Sequence, residues 1–301
     1  MDQNIQRAVT VGTFDGVHRG HKEVLRTLRE RADALGLTPL VVTFDRHPLE
    51  TVAPERAPRL LQERESRDAL LRSEGVDVTE VAFTPGLCRL TAGEWIEVLR
   101  RDYGARLLIS GYDNKFGSDG QRLAPADYVA LGHAHGIEVV VAPELPGVCS
   151  SAIRAALGRG DVEKAGEMLG RRYRLEGRVE SGRRLGRELG FPTANLRVDP
   201  RIMIPAPGVY AALSFIEDEN EGESKVYKAV VNIGDNPTVG ADNPLTIEAH
   251  LLHFDGDLYG KRLALDFISR IRGERKFDSL DSLRREIAKD AGRVEGMNPG
   301  V

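Results

Sequence analysis

GTFDGVHRGH, residues 12–21, joins an apolar run, AVTV at 8–11, to a segment where Val24, Leu25, Leu28, Ala32 and Leu35 recur at helical spacing until Gly36. Strand, glycine-rich turn and amphipathic helix, in that order, open a parallel α/β sheet. Such a sheet places the turn at the carboxyl edge of its strands, where doubly wound folds bind ligands. Gly12, Gly16 and Gly20 let the backbone approach a ligand closely, and the helix start behind them offers free N–H groups to an anion. His18 and His21 can each present a ring N–H to a phosphate whose charge grows during substitution. The plainer alternative is a glycine-rich turn with two surface histidines. The stretch holds neither a Walker A sequence nor GxGxxG, so it is neither a P-loop nor a dinucleotide fingerprint.

Working outward, the same alternation continues. Strands are expected at 40–44, 76–83, 106–110 and 137–141, and helices at 66–73, from Thr91 to Gly104, and at 126–135. Thr91 and Glu94 form a capping-box pattern. Apolar runs such as LVVTF and VVVA predict an α/β doubly wound, Rossmann-like sheet covered on both faces. Near residue 172 the pattern changes. After short helices at 151–157 and 162–169, strand-like runs at 208–215, 225–233, 246–254 and 262–268 are broken by EDENEGES, GDNPTVGADNP and FDGDLYG. These predict a small antiparallel β-barrel, because repeated short strands need closed or covered edges. A closing helix places Leu280, Leu283 and Ile287 on one face, with Asp278 or Ser279 as its cap. Two domains follow, 1–172 and 173–301, in keeping with 301 residues against about 150 for a single domain.

Composition narrows the function classes. Hydrophobic residues make up 41% and charged residues 29%, which fits a packed globular chain rather than a disordered one. A net charge of −4 gives no global attraction to nucleic acid or an anionic membrane. Seven arginines lie between Arg171 and Arg187, but Glu176, Glu180 and Glu188 partly offset them and no aromatic interleaving like an RNA-recognition signature appears, so no nucleic-acid partner is expected. Cys88 and Cys149 cannot build a disulfide scaffold or a cysteine zinc site. MDQNIQRAVTV lacks the pattern of a signal peptide and no run approaches a membrane span, so no membrane partner and a cytoplasmic location are expected.

Other segments carry chemistry with an ordinary alternative beside each. In SSAIR, 150–154, Ser150 and Ser151 can cap a helix, or join Arg154 one turn in to clamp phosphates. TFDRHP, 43–48, offers Phe44 and His47 to a ligand, or is a strand end stopped by Pro48. GRRLGRELGFPTANL, 182–196, lacks helical periodicity, and Gly182 and Gly186 let it fold over a ligand as a loop. Thr193 and Asn195 there supply oxygen ligands suited to Mg²⁺ on a nucleotide, the alternative being a turn role for Pro192 and Asn195. Glu248 alternates with Ile247 and Ala249, so its carboxylate leaves the apolar face; by itself such a glutamate is usually only solvated.

The HxGH pattern at this junction resembles the nucleotidyltransferases that transfer adenylyl groups from ATP. With TFDRHP, SGYDNKFG (110–117), SSAIR, FPTAN, PGVYA (207–211), NIGDNPT (232–238), IEAHLLHFDGDLYG (247–260) and RGERKF (272–277) in this order, the chain resembles the bifunctional bacterial riboflavin kinase/FAD synthetase family over nearly its whole length. That resemblance implies two reactions. The second domain phosphorylates riboflavin from Mg-ATP, and the first joins AMP from a second ATP to FMN, releasing pyrophosphate. It implies Glu248 as the base for the riboflavin 5′-hydroxyl, and His18, His21 and Arg154 as catalytic groups in adenylyl transfer. Nucleotide binding falls to Gly12, Phe14, Asp15, Gly16, Gly20, Ser150, Ser151, Gly182, Gly186, Thr193 and Asn195, with Mg²⁺ on the last two. Flavin binding falls to Phe44, His47, Asp113, Phe116, Gly208 and Tyr210. Ala152 stands where the family usually has Ser or Thr, and Asn114 where it commonly has an aromatic. The alternatives are a riboflavin kinase with a degenerate adenylyl site, and a non-catalytic flavin- or RNA-binding regulator on the same fold.

Overall fold

Alternating side chains along the first strand separate two cores. In β1 (Arg7–Val11), Val9 and Val11 enter one buried cluster and Ala8 the other. The structure, a computed structural model, describes residues 5–181, 190–216, 225–234 and 245–298. It forms two compact units, Met1–Ser150 and Ser151–Val301.

The first unit holds β1, α1 (Arg19–Leu35), β2 (Thr38–Phe44), α2 (Pro48–Val52), α3 (Arg64–Ser73), β3 (Asp77–Val81), α4 (Ala92–Tyr103), β4 (Ala105–Ser110), α5 (Pro125–Ala134) and β5 (Glu138–Val141). The strands pair in parallel in the order β3-β2-β1-β4-β5. Trp95, Ile96 and Leu99 of α4 and Tyr128 of α5 pack on Val9, Leu40, Val42 and Leu108; Val24, Leu25 and Leu28 of α1 and Leu71 of α3 pack on Ala8, Val41, Leu107 and Ile109. Each such side chain contributes about 1.5–3 kcal/mol by leaving water. The expected caps form. Thr91 Oγ1 accepts the Glu94 N–H at 3.3 Å and Glu94 returns the bond to the Thr91 N–H at 2.8 Å, while Gly36 and Gly104 end α1 and α4 in the left-handed conformation.

The second unit takes α6 (Ser150–Gly158) beyond its first residue, then α7 (Val162–Leu169), β6 (Arg174–Glu180), β7 (Ala194–Arg197), β8 (Gly208–Ile216), β9 (Lys225–Gly234), β10 (Thr246–Leu251), β11 (Arg262–Arg272) and α8 (Leu280–Gly296). The strands close an antiparallel barrel in the order β10-β7-β6-β11-β8-β9. Helix α8, capped by Ser279, lays Val294 on Val209, Ala211 and Val230 of the barrel's outer surface. Arg272 of β11 donates twice to Oδ2 of the buried Asp290 on α8, at 2.8 and 3.0 Å.

Four sequence expectations are corrected here. Strands β6 and β7 were not foreseen, because RLEGRVE shows only Leu175 and Val179 as apolar markers and ANLR is four residues long. Pro48 does not simply stop a strand: it opens α2, with His47 as N-cap, as its fixed φ suits a first turn. Strand β10 ends at Leu251, and His253 at φ 60° turns the chain away, whereas β11 runs on to Arg272 through two register shifts. Leu280 is 60% exposed, so α8 buries Asp290 and Val294 instead.

Candidate functional sites

In the first unit the strand order reverses direction between β1 and β4, so the crevice at their carboxyl ends is where an open α/β sheet binds ligand. The 12–21 loop leaves β1 there. Three of its residues have positive φ: Phe14 at 49°, Gly16 at 88° and Val17 at 38°. Only glycine adopts this region freely, so burial of Phe14 and Val17 must hold the other two in place.

The loop delivers both histidines to the start of α1. His18 is its N-cap, with Nδ1 accepting the His21 backbone N–H at 3.2 Å, so its ring proton sits on Nε2. The two rings stack, and Phe14 leans on His21 at 5.1 Å. Burial, and then the charge His18 would carry, hold the His21 pKa well below the usual 6.5. Gly20 sits in a tight place: a Cβ there would stand 3.2 Å from the His18 ring and 3.3 Å from the Val148 carbonyl oxygen.

Asp15 is buried, and its Oδ1 accepts the Leu61 N–H at 2.8 Å; its carbonyl accepts the Ser150 hydroxyl at 2.9 Å. One residue therefore ties the histidine loop to the segment after α2 and to the first residue of SSAIR. Ser151 and Arg154 follow on α6 in the second unit. Across the crevice, Asn114 Nδ2 donates to the Val11 carbonyl at 2.5 Å, bridging the ends of β4 and β1. Asp113 beside it is exposed, and so is Tyr112, which the sequence did not single out.

The other flavin candidates sit deeper. Phe44 is buried against Phe83 at 5.0 Å and Trp95 at 6.4 Å. His47 accepts the Leu49 N–H at 3.2 Å in capping α2. Phe116 is buried against Tyr128 at 4.7 Å, whose hydroxyl donates to the Phe116 carbonyl at 2.9 Å.

In the second unit a row of polar residues crosses the outer barrel face. Antiparallel register sets Asn232 of β9 opposite Glu248 of β10, Glu248 opposite Asn195 of β7, and Asn195 opposite Glu180 of β6. Ile247, Ala249 and Leu251 fill the interior, as the alternation predicted. Asn195 thus stands on a strand, not in the loop expected for it. Thr193, just before β7, donates its hydroxyl to Glu248 Oε2 at 3.3 Å. Gly182 and Gly186 lie outside the described residues.

Gly208 packs so tightly that a Cβ would stand 2.8 Å from the Arg272 carbonyl oxygen. Tyr210 is 0% exposed; its ring meets Phe267 edge-on at 5.4 Å and its hydroxyl donates to the Ala206 carbonyl. It is core, and its place on an apolar strand of alternating faces was the signal for that. Asn232 was missed because its partnership with Glu248 is a matter of register, which the sequence leaves open.

Comparison with known proteins falls in line with this geometry. The FAD synthetase family model matches residues 1–152 and the riboflavin kinase model residues 169–297. A bifunctional riboflavin kinase/FMN adenylyltransferase of Pseudomonas fluorescens is 38% identical over 296 residues, covering 96% of this chain and 92% of that one. The chain belongs to the bifunctional riboflavin kinase/FMN adenylyltransferase family. The member from Escherichia coli K12 is 34% identical over 94% of this chain and 90% of its own. Among solved structures, one titled a macrolide-efflux protein from Streptococcus pneumoniae aligns with TM-score 0.86 and 30% identity over 97% of this chain and 95% of that chain. As a riboflavin kinase/FMN adenylyltransferase family member the chain combines the two folds expected of it, and no described helix is long and apolar enough to cross a membrane.

Proposed function

We propose that the polar row on the barrel makes FMN and that the β1/β4 crevice turns FMN into FAD. The chain is a two-step flavin cofactor synthase: ATP phosphorylates riboflavin, and a second ATP adenylylates the product, releasing pyrophosphate. The residue assignments rest on one observation above others, the Thr193 hydroxyl on Glu248 with Asn195 in register beside it.

In the kinase step Glu248 takes the proton of the riboflavin 5′-hydroxyl as that oxygen attacks the γ-phosphorus and ADP departs, a role worth about 10²–10⁴ in rate. The Thr193 hydroxyl donates to Glu248 Oε2 and so fixes the orientation of the carboxylate. The Thr193 hydroxyl and Asn195 amide oxygen are hard donors that suit Mg²⁺, which keeps much of its shell for water and phosphate oxygens and so needs few protein ligands. Bound there, Mg²⁺ would neutralise phosphate charge. Gly182 and Gly186 are assigned to the nucleotide side of the same site.

In the adenylyl step no base is needed, because an FMN phosphate is already ionised. Its oxygen attacks the α-phosphorus, and the bond to pyrophosphate breaks. The His18 Nε2–H and the His21 ring donate to the growing phosphate charge, while Gly12, Gly16 and Gly20 keep the backbone close to it. Ser150, Ser151 and Arg154 are assigned to the departing pyrophosphate by their motif. The flavin side of this step is assigned to Asp113, His47, Phe44 and Phe116, and Gly208 and Tyr210 of the barrel to the riboflavin side of the kinase step. Phe14 and Asp15 hold the nucleotide loop in shape. We assign adenylyl transfer to residues 1–172 and the kinase to 173–301, a division supported by matches ending at 152 and starting at 169.

Chromatography of flavins after incubating the protein with riboflavin, ATP and Mg²⁺ tests this. FMN appearing first and FAD following is the expected result. FMN without FAD would select the kinase-only reading, and unchanged riboflavin would overturn both.

A further inference from the structure

We propose that His250 is a positioning residue of the kinase site, one that fixes residues 191–193 so that the Thr193 hydroxyl meets Glu248. The inference rests on the assignment of Glu248 as the base and goes beyond it by explaining what holds that base's partner.

His250 lies two residues beyond Glu248 on the same outward face of β10. Its Nδ1 is 2.9 Å from the Pro192 carbonyl oxygen. A carbonyl only accepts, so Nδ1 carries the hydrogen and donates. The Phe191 ring meets the same imidazole edge-on, at 5.4 Å and 85°. Two consecutive residues are thus anchored on one side chain, and the next residue, Thr193, donates to Glu248.

That anchoring is needed because backbone pairing does not reach this far. Strand β7 begins at Ala194, and its register with β10 is Asn195 to Glu248 and Ala194 to Ala249. Residues 191–193 precede the ladder, so among the described contacts the imidazole takes over where strand pairing stops. Thr193 would otherwise be free to swing, and a displaced donor costs rate far beyond its own bond strength.

The anchor itself does not depend on the charge of the ring. Nδ1–H donates to Pro192 in the neutral and in the protonated ring alike. A positioning role therefore predicts an unaltered pH profile when another donor replaces the ring.

The test uses the full chain, with both activities measured on the same preparations. His250→Leu removes the donor and the ring; His250→Asn keeps an amide N–H at the position of Nδ1. The leucine variant should lower riboflavin kinase kcat by on the order of ten- to a hundredfold, with FMN adenylylation within about twofold of the parent. The asparagine variant should recover most of the kinase loss and show the parent's pH midpoints. Nitrogen NMR of the unsubstituted protein should find the His250 proton on Nδ1.

Kinase turnover unchanged in His250→Leu, asparagine as impaired as leucine, a displaced pH midpoint, or a proton on Nε2 alone would each overturn the proposal. If the leucine variant fails to fold, the asparagine variant and the NMR tautomer decide. Glu248→Gln is the separate control: full kinase activity there would sink the assignment of the base, whatever His250 does.

Discussion

The imidazole rings of His18 and His21 lie face to face, their centroids 3.6 Å apart and their planes 14° from parallel. Two rings at that distance repel strongly if both are charged, and His21 is the partner whose pKa is held down, first by desolvation and then by the charge His18 would carry. Stacking therefore keeps the pair short of a double positive charge while aiming ring N–H groups out of one loop. Phe14 and Val17, held at positive φ, set the loop that makes this stack.

Removing one ring should disable one reaction only. His21→Ala is expected to lower FMN adenylylation by about 10²–10³, the usual loss for an oriented donor to transition-state charge. Riboflavin phosphorylation should stay near the parent value. Separate assays of FMN and FAD check this, and equal loss of both activities in a folded variant would refute independent sites.

The depressed His21 pKa has a consequence for stability. Unfolded, the ring titrates near 6.5; folded, it resists protonation to lower pH. Between those values the unfolded chain binds the extra proton, so stability rises with pH and is lost as pH falls below about 6.5. Urea melts at pH 7.5 and 5.5 should show this slope in the parent and less of it in His21→Asn. An equal slope in both would place the titration elsewhere.

Kinase chemistry should respond to Glu248 and Thr193 in different ways. Glu248→Gln should cost about 10²–10⁴ in riboflavin kinase kcat, as a lost general base does. Thr193→Val removes the donor to Glu248 and an oxygen suited to the metal, so kcat should fall and the Mg²⁺ concentration for half-maximal rate should rise. Steady-state rates over a Mg²⁺ titration measure both effects, with FAD formation from supplied FMN as the internal standard.

Asp15 should prove structural in its side chain. Asp15→Ala leaves the Leu61 N–H buried without this acceptor, a cost of about 1–3 kcal/mol, and loosens the loop carrying both histidines. Asp15→Asn retains Oδ1 as an acceptor and should keep most of the stability and the adenylyl transfer. Thermal melting with FAD assays distinguishes this from direct contact with ATP, which would make both variants equally inactive at full stability.

Much of the fold was legible because local rules agreed with it. Helix α4 is announced by Thr91, Glu94 and Gly104, and each makes the bond or turn its type favours. The barrel's closing strands were not legible. Arg174 and Arg178 of β6 read as part of a basic run, yet Arg174 pairs with Asp266 of β11 and Arg178 donates to the Gly260 carbonyl. Phe116 and Tyr210 are expected at the flavin because they lie in motif segments; that both rings are buried is what the structure adds, since motif membership does not say which way a ring points.

What the chain's order of residues determined by itself is the parallel sheet, the barrel class and the chemical kinds of group on offer: imidazoles on a glycine-rich turn, hydroxyl and amide oxygens in a glycine-containing segment, a carboxylate on a polar strand face. Periodicity and capping are local, so they survive in one dimension. Only the tertiary structure decided which groups meet. Thr193 and Glu248 are 55 residues apart, and their contact depends on how β7 aligns with β10 and on the imidazole that tethers the segment before it. Alternation tells which face a side chain takes; register between distant strands is set by the packing of the whole barrel.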